Sequence, residues 1–187
     1  MHLAAALTCL TAFSSFSWGA VRFFTKPSGL TRRAGATASL GVFFAGWHVY
    51  AIATAATSPW RAALGMIAHA LAAAIFWTAV RACQSQPLTA IFEDDLPVRL
   101  VRRGPYAYVR HPFYTAYTIF WLGGWVASDS LVTLLSVAAM LAIYVRGAME
   151  EERKFSRSAL AREYAAYRTR VRAWRPAVLV RDAATDR

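Results

Sequence analysis

Charge is missing from most of this chain, and the places where it is missing constrain the fold. Residues 1–21 carry no acidic or basic side chain except His2, residues 34–60 none except His48, and residues 62–80 none except His69. From Pro112 to Val145 the one charged side chain is Asp129. Over the whole chain 17% of residues are charged and 57% are hydrophobic, whereas a soluble domain carries about a quarter charged residues. A bilayer crossing takes roughly 20 apolar residues. In hydrocarbon the backbone must satisfy its own hydrogen bonds, which a helix does within one segment. The pattern therefore predicts an all-α integral membrane protein of one domain, with about five transmembrane helices. The expected spans are roughly 3–22, 36–58, 62–80, 112–128 and 130–146. The last two form a tight hairpin turning at Ser128-Asp129-Ser130. Nothing basic precedes the apolar core of the first span and no small-x-small site follows it, which favours a retained helix over a signal peptide.

The net charge of +11 has a definite location. With five spans, all but Arg61 of the 21 Lys and Arg residues fall on one set of flanks. Positive flanks stay cytoplasmic, so the N-terminus is expected outside and the C-terminus in the cytoplasm. The basic excess is thus assigned to topology and to contact with anionic membrane lipids, and no nucleic-acid partner is expected. Cys9 and Cys83 lie far apart in or near spans, without metal-like spacing, and read as packing residues. No metal site is expected.

Small residues such as Ala36, Gly41, Gly46, Ala70 and Ala74 suit close helix packing in lipid. Residues 27–35 read as a cytoplasmic loop. Residues 81–111 are polar, carry Pro87, Pro97 and Pro105, and are too long for a plain connector. Within them Val98-Arg99-Leu100-Val101 is a candidate extended piece, and Glu93-Asp94-Asp95 reads as a solvated patch beside basic neighbours. A polar cytoplasmic helix is expected over 147–176, with Glu150, Glu151 and Glu152 at its start. Leu160, Tyr164, Tyr167, Val171 and Trp174, spaced 4, 3, 4 and 3, form one apolar helix face. Pro176 ends that helix, and 177–187 form a frayed tail.

The densest chemistry is Gly104-Pro105-Tyr106-Ala107-Tyr108-Val109-Arg110-His111-Pro112-Phe113-Tyr114. Gly104-Pro105 makes a turn. Pro112 suits the first turn of the fourth span, where its missing N–H costs nothing, and the helix start favours an anionic group nearby. Tyr106, Tyr108 and Tyr114 offer aromatic faces that attract cations, and His111 donates or accepts at neutral pH. An interfacial aromatic belt explains the same residues equally well. A second cluster pairs Arg146 with Glu150, four apart on one helix face. Arg146 at a membrane edge is placed to grip a carboxylate; the alternative is a snorkelling arginine followed by an exposed charged helix.

Taken in order, Gly-Pro-Tyr-x-x-x-Arg-His-Pro-x-Tyr, a hydrophobic hairpin, Glu-Glu and a Tyr-x-x-Tyr-x-x-x-Val helix resemble the isoprenylcysteine carboxyl methyltransferase family. The specific likeness covers about 96–176. It implies a membrane-embedded methyltransferase that uses S-adenosyl-L-methionine, in a bacterial-type five-span form, hence in the inner membrane. By position, cofactor contacts fall on Val98, Arg99, Leu100, Val101, Tyr106, His111, Pro112, Phe113 and Tyr114. The glutamate run Glu150, Glu151 and Glu152 adds one more. Spacing to Phe155 selects Glu151-Glu152, and spacing to Arg146 selects Glu150. Arg146 carries over as the residue that orients the substrate, and Ser158-Ala159-Leu160-Ala161 replaces the family's Phe-Gly. The acceptor implied is lipophilic, with an isoprenoid-linked carboxylate first and phospholipid amines or small thiols as alternatives. A carboxylate is already ionised at pH 7 and needs no general base; an amine or thiol would call on His111 or a glutamate. Two other classes compete: a non-enzymatic membrane scaffold or partner subunit, and a membrane reductase, for which no Gly-x-Gly-x-x-Gly is present.

Overall fold

The fold is that of a computed structural model, which describes residues 1–25, 32–83, 88–89 and 96–174. Among the described residues six α-helices follow one another: α1 His2–Phe23, α2 Arg32–Ala53, α3 Pro59–Cys83, α4 Pro112–Ser128, α5 Leu131–Arg157 and α6 Ala161–Arg170. Two-residue strands, β1 Phe24–Thr25 and β2 Leu88–Thr89, pair in parallel. Helices α1, α2, α3 and α5 are each long and apolar enough to cross a membrane. Helix α4, at 17 residues, sits at the short end of the spanning range. The architecture is an all-α integral membrane protein.

Helix α4 is the hub, packed against α1, α2, α3 and α5. Its contact with α3 is the closest because glycines let the backbones meet. A Cβ at Gly65 would lie 2.7 Å from Ala127 Cβ and 2.9 Å from the Gly123 carbonyl, and one at Gly123 2.7 Å from Ala68 Cβ. Around this seam Phe16, Phe76, Tyr117 and Phe120 form an aromatic core, mostly in edge-on or tilted pairs. Two fully buried histidines also face α4. His48 Nε2 is 2.7 Å from Ser136 Oγ, and His69 Nδ1 is 3.2 Å from Thr8 Oγ1. A Cβ at Gly124 would collide with His48 Nδ1, so this glycine makes room for the ring.

The expected hairpin is present. Asp129 caps α4 in the left-handed region at φ 53, and its N–H bonds to the Trp125 carbonyl. Arg61 holds the turn from α3, through Nε to the Val126 carbonyl and through Nη2 to Asp129. Several expected boundaries move. Helix α2 runs over 32–53, not 36–58, because Arg32 and Arg33 are tolerated in an exposed first turn and Pro59 opens α3. The loop expected over 27–35 therefore ends before Arg32, and its residues 27–31 lie outside the described ones. Over the described part of 147–176, up to Trp174, no single separate helix forms. Helix α5 continues unbroken through Arg157, and Ser158 ends it by bonding the Phe155 carbonyl and the Leu160 N–H. Helix α6 stops at Arg170, so Val171 and Trp174 fall beyond it. Of the five small residues expected at helix contacts, only Gly41 is buried; the close approaches use Gly19, Gly65, Gly123 and Gly124. Glu93-Asp94-Asp95, Pro87, Pro176 and the 177–187 tail lie outside the described residues.

Candidate functional site

The loop before α4 is shaped by its own sequence. Gly104 takes φ +59, a conformation glycine adopts without steric cost, and Pro105 opens the 3₁₀ turn Gly104–Ala107. Val109 then pairs in parallel with Arg172. The N–H groups of Arg110 and His111 bond to the carbonyls of Arg172 and Ala173 at 2.9 and 3.3 Å. His111 is the N-cap residue of α4 and Pro112 its first helical residue, as the sequence predicts. Val98, Arg99, Leu100 and Val101 carry no regular secondary structure. Val98 is 86% exposed, while Leu100 packs against Tyr164, Tyr167 and Val171.

Helix α6 folds back over this loop. Phe155 stacks on Tyr164 with centroids 4.5 Å apart, and Tyr167 Oη donates to the Tyr106 carbonyl at 2.5 Å. The Tyr106 hydroxyl accepts from Cys83 Sγ at 3.5 Å. Burial, with Cys83 and Glu151 nearby, holds the Tyr106 phenol well above its ordinary pKa, so it stays neutral. The chain then returns through 171–174. Trp174 comes to 5.9 Å from both the His111 and the Tyr114 ring centroids.

Here the two distant sequence clusters meet. His111 Nε2 is 3.1 Å from Glu152 Oε1, and His111 Nδ1 is 3.5 Å from Glu151 Oε2. Burial disfavours charge on this imidazole, but the two carboxylates outweigh it and raise its pKa above the ordinary value. Glu152 is further engaged by Arg110, at 2.8 Å from Nη2 and 3.2 Å from Nε, and by Arg168 at 3.7 Å. Glu151 is different. Its side chain is 38% exposed and its carboxylate faces His111. Glu150 turns to the other flank of α5, 3.9 Å from Arg33 of α2. Arg146 shares that flank, exposed, one turn before Glu150 and away from the buried face of α5 that carries Tyr144 and Ala148.

The structure thus brings together Tyr106, His111, Tyr114, Glu151 and Glu152. It leaves Arg146 and Glu150 on a neighbouring face and Val98 at the surface. Phe113 contributes to the core through Phe76, 5.3 Å away. Besides Trp174, which its spacing places only on a helix face, two participants escape the sequence reading. Tyr144 stacks on Tyr114 at 5.6 Å and accepts from Trp121 Nε1 at 2.9 Å. Arg110 ties Glu152 to the carbonyls of Val171 and Arg168. Arg110 adjoins His111 in the motif, so adjacency was the available signal; Tyr144, inside an apolar span, gave none.

Buried polar atoms point to what this cluster can hold. His111 Nδ1 and Tyr114 Oη are both buried without a hydrogen-bond partner among the described residues, in a wall of aromatic rings beside a carboxylate. Such a wall suits a small polar, cationic group. The profile of one protein family, Phospholipid methyltransferase, matches residues 60–162, more than half of the chain. The chain belongs to the phospholipid methyltransferase family. The match runs from the start of α3 through α4 and α5 into α6, and so contains Tyr106, Arg110, His111, Tyr114, Tyr144, Glu151 and Glu152 but not Tyr167, Arg168 or Trp174. Neither a curated protein nor a solved structure matches the chain. As a member of this family the protein is a membrane methyltransferase.

Proposed function

We propose that this phospholipid methyltransferase family member uses S-adenosyl-L-methionine to methylate a lipophilic acceptor, in the manner of isoprenylcysteine carboxyl methyltransferases. The observation that carries the proposal is that Glu151 lies 3.5 Å from His111 Nδ1, in a cluster where that nitrogen and Tyr114 Oη are buried without a hydrogen bond among the described residues. When bound, the cofactor supplies a sulfonium-activated methyl group and the protein supplies orientation. Glu151 and His111 are polar partners for the cofactor's hydroxyl, amino and carboxylate groups. Tyr106, Tyr114, Tyr144 and Trp174 supply aromatic faces that favour the positive sulfur. Pro112 and Phe113 fix the α4 start that carries His111 and Tyr114. Val98, Arg99, Leu100 and Val101 form the outer edge, with Leu100 anchoring it to α6.

Glu151 is the glutamate we assign to the cofactor, because Glu152 is engaged by Arg110 and His111 and Glu150 faces Arg33. Arg146, on the adjoining face of α5, is the residue we assign to orienting the acceptor. The site lies at the basic end of the bundle, which the charge bias assigns to the cytoplasm.

The test is transfer of a tritiated methyl group from S-adenosyl-L-methionine into total membrane extract, followed by fractionation. Label in the lipid fraction is expected. Base-labile label identifies a carboxyl ester, and base-stable label an N-methylated phospholipid. No incorporation above a heat-inactivated control, with the protein folded, overturns the proposal.

A further inference from the structure

Arg110 is not among the residues the proposed function uses, yet its bonding is the densest in the site. Its side chain is only 12% exposed, unlike a basic residue placed for topology alone. Nε and Nη2 both reach Glu152 Oε1, at 3.2 and 2.8 Å. Nη1 donates to the carbonyl of Val171 at 2.7 Å and to that of Arg168 at 3.4 Å. One planar fork therefore joins the loop before α4, the polar end of α5 and the exit of α6. A lysine ammonium is a point charge and cannot span three such acceptors.

The consequence falls on His111. The acceptor of its Nε2 is the same oxygen, Glu152 Oε1, that Arg110 holds. Fixing that oxygen fixes the imidazole rotation, and so fixes where Nδ1 faces. The strap 171–174, seated by the Arg110 bonds and by its pairing with 109–111, places Trp174 over the same ring. We infer that Arg110 is a positioning residue, which through Glu152 aims His111 Nδ1 toward Glu151 and through Val171 seats Trp174 over the pocket. The link to methyl transfer rests on the proposed function, but the positioning itself can be tested without it.

The charged and titratable groups facing His111 are Glu151 and Glu152 from α5, Tyr114 from α4, and Arg110 beside it; Arg168 from α6 reaches it only through Glu152. Two opposite effects of removing Arg110 can therefore be separated. If Arg110 acts only as a nearby positive charge, its loss raises the His111 pKa. If it holds Glu152 in place, its loss frees that carboxylate and lowers the His111 pKa.

The experiment is a titration of ¹³C-labelled histidine by NMR in detergent micelles, on the wild type, Arg110→Gln and Arg110→Lys, with His111 assigned from His111→Gln. The resonances of His48 and His69, buried among the helices, report whether each variant keeps its fold. A His111 pKa lowered in Arg110→Gln, and lowered also in Arg110→Lys, supports the inference. A rise or no change in Arg110→Gln overturns it, as does full retention of the wild-type value by Arg110→Lys. Should Arg110→Gln not fold, Arg110→Lys carries the test alone. Where the wild type binds S-adenosyl-L-methionine, the positioning variants should weaken that binding about tenfold, the effect of one charge-assisted hydrogen bond. Absence of binding by the wild type would count against the proposed function and leave the titration to judge Arg110.

Discussion

His111 Nε2 lies 3.1 Å from Glu152 Oε1, joining the first turn of α4 to the polar end of α5 across 41 positions of sequence. The contact is a charge-assisted hydrogen bond whenever the imidazole is protonated. Its pH dependence follows from the direction of the His111 shift. The folded pKa lies above 6.5, raised by the two carboxylates against the effect of burial. The stabilisation is therefore complete below 6.5 and is lost as pH rises through the folded value. Thermal unfolding in detergent should show a fall in stability over that window for the wild type. In His111→Gln the fall should be smaller; equal slopes would contradict the assignment.

A second expectation concerns Gly124 and His48. A Cβ at Gly124 would collide with His48 Nδ1, and the ring is held by Ser136 at 2.7 Å and packed on Trp121 at 5.1 Å. Gly124→Ala should cost about 1–3 kcal/mol, the usual range for overpacking. His48→Ala opens space at the same spot, so the double variant should be more stable than the two single losses predict. Additive losses in thermal unfolding would contradict the contact.

A third follows from Tyr167. Its hydroxyl donates to the Tyr106 carbonyl at 2.5 Å, and Tyr167→Phe removes that bond while keeping the ring. The loss should be about 1 kcal/mol and local to the docking of α6. Hydrogen exchange should quicken over 161–174 and stay unchanged in α3 and α4. Uniform acceleration would mean that α6 does not dock as an independent unit.

Features set by local chemistry were legible in the sequence. Pro112 starts α4 and Asp129 turns the hairpin because proline and a left-handed cap act over a few residues. The approach of Glu151 to His111 was legible only as an order of motifs, since no spacing rule states which glutamate faces inward. The end of α5 is not legible because the apolar run stops near Val145, whereas the helix itself has no reason to stop before Ser158. Val171 and Trp174 kept helical spacing yet lie beyond α6, where Arg172 pairs with Val109 instead. Arg110 was hidden by its type, because an arginine at a membrane edge is expected for topology alone. His48 and His69 appeared only as interruptions of uncharged runs; their partners Ser136 and Thr8 come from other helices.

The central claim is that Glu151, beside His111, holds the cofactor while Glu150 does not. Calorimetric binding of S-adenosyl-L-methionine to the detergent-purified protein tests it most directly, using the wild type, Glu151→Gln and Glu150→Gln, each shown to be folded. The wild type and Glu150→Gln should bind alike, and Glu151→Gln should bind at least about tenfold more weakly, as loss of a hydrogen bond to a charged group implies. Equal binding by wild type and Glu151→Gln, or no binding by the folded wild type, would contradict the account.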